Sequence, residues 1–64
     1  MTYGEKIKEN MQKVGITMQE LSAKTGISEF VLERYVEGIR IPKAPDLINL
    51  SNALGVEPND LISD

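Results

Sequence analysis

The sequence contains no cysteine and no histidine, and those two gaps exclude several kinds of protein at once. Without thiols there is no disulfide to staple a small core and no cysteine zinc site. Without imidazole the commonest nitrogen ligand and the usual neutral-pH proton carrier are both missing. A glycine-rich phosphate loop is absent too, and 64 residues offer little concavity for a substrate. No enzyme activity, metal or cofactor is therefore expected. No apolar run is long enough to span a bilayer, and Met1-Thr-Tyr-Gly-Glu-Lys6 lacks the basic-then-apolar layout of a signal peptide. A cytoplasmic chain without a membrane partner is the expectation.

What is present fits one small domain, expected to span 1–64. A domain of this size buries only about 60% of the surface its unfolded chain exposes, so its stability rests on close helix packing. The formal net charge is −3, unevenly placed. From Ala44 onward there are four acids (Asp46, Glu57, Asp60, Asp64) and no Lys or Arg; residues 1–43 hold all seven bases against six acids. A polyanionic partner requires a local basic face rather than a basic whole, so this distribution leaves one open.

Hydrophobic spacing predicts an all-α fold. Tyr3, Ile7, Met11 and Val14 fall on one face of a helix over about 3–14, which Gly15 ends. Thr17 is a good N-cap, and Glu20 completes the capping-box spacing for a second helix, 18–25, anchored by Leu21 and stopped at Gly26. Ser28 caps a third helix, 29–37, that buries Leu32 and Tyr35, flanked by Val31 and Val36, and ends before Gly38. Residues 39–45 contain two prolines and read as a loop. A fourth helix is expected from Pro45 or Asp46 to Leu54, with Leu47, Leu50 and Leu54 on one stripe. A short fifth helix, 58–62, is anchored by Leu61 and Ile62.

The informative stretch is Thr17 to Gly38. Two short helices meet at a tight turn containing Gly26, with the small Ser22 at their crossing and Ile27 as a plug. A helix-turn-helix requires such a turn and a second helix with a free outer face. The chain here resembles the Cro/C1-type (lambda-repressor-like, XRE) family of helix-turn-helix regulators. The likeness runs from Ile7 to Leu61. It is carried by Gly15-Ile-Thr-Met-Gln-Glu-Leu21, Thr25-Gly-Ile-Ser28, Leu32-Glu-Arg-Tyr35, Glu37-Gly38, Pro42 and Leu50-Ser-Asn-Ala-Leu-Gly-Val56. The resemblance implies five helices, the third being the recognition helix, and sequence-specific binding of double-stranded DNA. It also implies a homodimer on a palindromic operator. For that dimer, Leu61, Ile62 and the end of helix 4 are the expected surfaces.

Three departures accompany the likeness. Met18 stands where the family usually has Gln, and Ile39 where Lys is frequent. Met11 and Val36 replace a buried Arg–Glu pair found in many members. Exchanging both partners of a buried ion pair for packed apolar groups is often neutral or stabilising.

On the third helix the groove-facing residues are expected to be Ser28, Glu29, Phe30, Glu33 and Arg34. Arg34 suits guanine, Phe30 a thymine methyl, and the glutamates cytosine N4. Phosphate contacts are expected from Arg40 and Lys43 in the following loop, from Lys24, and from Thr17 and Met18 at the start of helix 2. Weak surface pairs Glu20–Lys24 and Glu9–Lys13 follow from their i,i+4 spacing. A rival expectation is a protein-docking module of anti-repressor or toxin-partner type. It rests on the acidic third helix, an exposed Phe30, and the apolar Met18 and Ile39.

Overall fold

The computed structural model describes residues 2–62, so Met1, Ser63 and Asp64 of the expected 1–64 domain lie outside the described residues. Five helices follow in chain order: α1 (Tyr3–Val14), α2 (Met18–Thr25), α3 (Glu29–Glu37), α4 (Ala44–Leu54) and α5 (Pro58–Ile62). The described residues contain no strand. Ile7, Met11, Leu21, Ile27, Leu32, Tyr35, Leu50, Leu54 and Leu61 form one buried core. Against it α1 packs on α3, α4 and α5, while α2 packs on α3 and α4.

The starts of the first three helices follow from their caps. Thr2 and Thr17 each accept from the backbone N–H three residues on, and Glu5 and Glu20 reach back to the cap N–H, completing two capping boxes. Ser28 accepts from Val31 N at 3.2 Å and opens α3. The fourth start departs from expectation: α4 begins at Ala44, with Lys43 as N-cap making no side-chain bond. Pro45 is therefore inside the first turn. There its fixed φ is already helical and its missing N–H is one the helix leaves unpaired anyway.

Two apolar residues expected inside lie at the surface. Val14, the last residue of α1, is about half exposed, and Ile62 at the end of α5 is 52% exposed. Both stand at helix ends, where the neighbouring helices no longer cover them. The apolar exchange is accommodated: Met11 is buried, and Val36 is partly buried and packs against the core.

The close approach that orients α3 involves a residue with no side chain. A Cβ on Gly4 would lie 2.3 Å from Val36 O and 2.8 Å from Tyr35 O, so the first turn of α1 sits directly on the last turn of α3. Tyr3 Oη donates to Arg40 O at 3.1 Å and ties the same turn to the loop that follows. Tyr35 Oη donates to the Asp46 carboxylate, joining α3 to α4. Asn49 Nδ2 donates to Thr25 O at 2.8 Å, joining α4 to the end of α2. The core, in short, holds α3 by one face only.

Candidate nucleic-acid interface

The turn between α2 and α3 determines what α3 presents. Gly26 has φ +78°, a left-handed conformation in which a side chain is strained, and its N–H donates to Ser22 O. Ser22 Oγ donates to Ile27 O, and Ile27 N donates to Thr25 Oγ1, so the turn satisfies its own polar groups. Ile27 is buried as the plug. With Leu32 and Tyr35 directed into the core, the opposite face of α3 must carry Glu29, Phe30, Glu33 and Glu37, all of which are exposed.

Of the five residues expected to read bases, four (Ser28, Glu29, Phe30 and Glu33) are exposed and Arg34 is partly buried. The burial of Arg34 has a visible cause. Its guanidinium carbon lies over the Phe30 ring, 4.6 Å from the centroid. Phe30 itself is 63% exposed, so the pair stands together on the outer surface of α3. A cation over an aromatic face is attracted by the ring quadrupole, and the contact uses none of the guanidinium N–H donors. Three glutamates share this face with the single arginine, so its side-chain charge is net negative, and the next cations in sequence lie in the loop that follows.

In this α3–α4 loop Arg40 and Lys43 are both exposed and both line a shallow depression of about 230 Å³, together with Tyr35, Ile41, Pro45 and Asp46. Arg40 lies 6.0 Å from the Tyr35 ring centroid. Asp46 is the opposing charge, and the Tyr35 hydroxyl donates to it. Burial, then that hydrogen bond and the Asp46 charge, hold the Tyr35 phenol above its ordinary pKa, while Arg40 pulls the other way.

The remaining expected phosphate contacts are placed less uniformly. Lys24 Nζ donates to Ala53 O at 3.4 Å, so its ammonium is turned toward the end of α4. Glu20, expected to pair with Lys24, instead accepts from Thr17 N at 2.9 Å. Thr17 is thus occupied within its capping box, and the bond from its backbone N–H holds the Glu20 carboxyl below the ordinary glutamate pKa. The Met18 side chain packs partly buried against the core. Its backbone N–H, at the first position of α2, is one of the donors that a helix start leaves without an intrahelical partner. Of the two expected surface pairs, Glu9–Lys13 forms, at 3.4 Å.

Comparison with known proteins puts this arrangement in context. A helix-turn-helix family model matches residues 7–61. The HTH-type transcriptional regulator ImmR of Bacillus subtilis (strain 168) is 34% identical over 62 residues, which is 97% of this chain and 49% of that protein. The chain therefore spans about half the length of this curated relative. The crystal structure of the P22 c2 repressor in complex with synthetic operator 9T superposes with a TM-score of 0.93 at 25% identity. That match covers 98% of this chain and 96% of the repressor chain. The solution structure of the DNA-binding domain of the same repressor gives a TM-score of 0.91 at 26% identity, over 95% and 80% of the two chains.

Proposed function

Since the chain belongs to the Cro/C1-type helix-turn-helix family, we propose that it binds double-stranded DNA sequence-specifically as a repressor-like transcriptional regulator. The observation that carries this is the free outer face of α3, where Arg34 stands on Phe30, followed in the chain by a loop that exposes the cations Arg40 and Lys43. In this proposal α3 enters the major groove. Arg34 donates to guanine O6 and N7, with Ser28, Glu29, Phe30 and Glu33 against neighbouring base edges. Arg40 and Lys43 meet phosphates, and the Met18 N–H adds a backbone donor. The operator complex of a structural neighbour and the regulator status of a relative support the assignment.

We further propose that it acts as a homodimer on a palindromic operator. Leu61 is 0% exposed, enclosed in the protein's own core, and offers no surface to a second copy, whereas Ile62, Ile39 and Ile41 are exposed. Sedimentation equilibrium with and without operator tests this, and a monomer under both conditions refutes it. The same exposed isoleucines and Phe30 favour one second function, docking of a partner protein by a fold that ignores DNA.

Selection from random-sequence duplexes separates the two. DNA reading predicts an enriched motif whose affinity falls steeply with salt, because each phosphate contact releases counterions. No enrichment, or an affinity indifferent to salt, refutes it.

A further inference from the structure

Arg34 is six residues past the cap of α3, so at about 1.5 Å per residue its Cα lies roughly 9 Å from the helix tip. The N-terminal residues of a recognition helix are the ones that reach base edges. The contact with Phe30 changes where the charge of Arg34 is delivered. The ring belongs to the residue one turn earlier, and the guanidinium lies over it at 4.6 Å. The cation is thus carried back toward the groove-entering end. Among the described residues no acceptor takes its N–H groups. Phe30 contributes an exposed apolar surface in the same place.

Two chemistries are therefore juxtaposed on one turn of α3: a fork of donors matched to guanine O6 and N7, and an apolar ring matched to a pyrimidine 5-methyl group. We infer that Phe30 and Arg34 form one composite reader, selecting a guanine whose neighbouring base pair carries a 5-methylpyrimidine in the major groove. Thymine and 5-methylcytosine satisfy it equally; uracil and cytosine, which lack the methyl, do not. The two residues act as a unit, because the ring that meets the methyl also stations the guanidinium. Glu29 and Glu33, each one residue before a member of the pair and exposed on the same helix, repel the charge of a phosphate that strays onto it. This inference rests on the DNA-binding function proposed above and names the feature of the operator that α3 reads.

The test begins with the motif recovered by selection. Duplexes carrying thymine, deoxyuridine, cytosine or 5-methylcytosine beside the guanine are then titrated by fluorescence anisotropy with the wild type, Phe30→Ala, Phe30→Leu and Arg34→Ala. Removing the methyl from its apolar contact is expected to weaken wild-type binding about four-fold, the ratio equivalent to about 0.8 kcal/mol for one such group. Phe30→Ala should lose that methyl preference and part of the preference for guanine. Phe30→Leu, which keeps an apolar surface without a π face, should retain the first and lose the second. Phe30 is exposed, so these variants are expected to fold, and far-ultraviolet circular dichroism checks that they do. Equal binding of thymine and deoxyuridine duplexes by the wild type overturns the composite reader and leaves the DNA-binding function standing. So does an undiminished guanine preference in Phe30→Leu. Failure of the initial selection to enrich any sequence overturns both.

Discussion

Replacing Gly4 with alanine sets two physical effects against each other. Helix propensity favours alanine over glycine in a helix by about 0.5–1 kcal/mol. Packing opposes it. The new methyl would lie 2.3 Å from Val36 O and 2.8 Å from Tyr35 O, whereas carbon–oxygen contacts are ordinarily about 3.3–3.6 Å. The atoms in the way are main-chain carbonyls of α3, which cannot rotate aside. The first turn of α1 has to retreat by about 1 Å. Overpacking of this kind typically costs about 1–3 kcal/mol, and a rigid backbone obstacle belongs at the upper end. Subtracting the propensity gain leaves a net loss of about 2 kcal/mol. For a domain of this size each kcal/mol moves the melting midpoint by about 4–8 °C. Gly4→Ala should therefore melt about 8–16 °C below the wild type when followed by circular dichroism at 222 nm. Gln12→Ala, at an exposed position of the same helix, should stay within about 0.5 kcal/mol. A Gly4→Ala midpoint equal to or above the wild type would show that α1 does not press on α3 as described.

Other perturbations follow from the caps and the titrating groups. Ser28→Ala removes the acceptor for Val31 N and should cost about 1 kcal/mol by thermal melting, with Ser28→Gly costing only a few tenths. Glu5 and Glu20 are held below the ordinary glutamate pKa, chiefly by accepting from the cap N–H groups of Thr2 and Thr17. The stability they contribute is complete above the unfolded value and is lost as pH falls through the depressed one. The midpoint should decline as pH falls below the ordinary glutamate value, about 4.3, and on through the depressed one, and Glu5→Gln with Glu20→Gln should flatten that decline. Tyr35 has the opposite sign: its raised pKa keeps the fold stable below the ordinary phenol value, and stability drops as pH rises through the raised one. An alkaline titration of Tyr35→Phe should lack this step, and its persistence there would contradict the assignment.

Much of this was legible because the chain punctuates itself locally. Thr17 with Glu20, Ser28 and the glycines at the helix ends are signals within three or four residues of what they control, so α2 and α3 could be bounded from spacing alone. The outer face of α3 then followed by elimination, once Leu32 and Tyr35 were assigned inward. What escaped depends on partners distant in sequence. Gly4 carries no hydrophobic signal, and its meaning appears only when α3 arrives against it. Lys24 bonds to Ala53, 29 residues away, and Tyr35 to Asp46 across a proline-containing loop; neither obeys a spacing rule. The start of α4 was hidden because Pro45 signals a loop and a helix first turn equally well. Glu20 had two candidate partners by spacing; it accepts from the cap N–H, and the Lys24 ammonium turns to Ala53 O instead. The stacking of Arg34 on Phe30 lay within the i,i+4 rule and could have been expected from it.

The central claim is that α3 reads DNA through Arg34, and one titration addresses it directly. Wild type and Arg34→Ala are compared by electrophoretic shift on the selected duplex and on a scrambled duplex of equal length and salt. Loss of a bidentate guanine contact should cost about 1–3 kcal/mol, roughly five- to 150-fold, on the selected duplex. On the scrambled duplex the variant should lose no more than the small share owed to one positive charge. Equal weakening on both, or none on either, would contradict the claim.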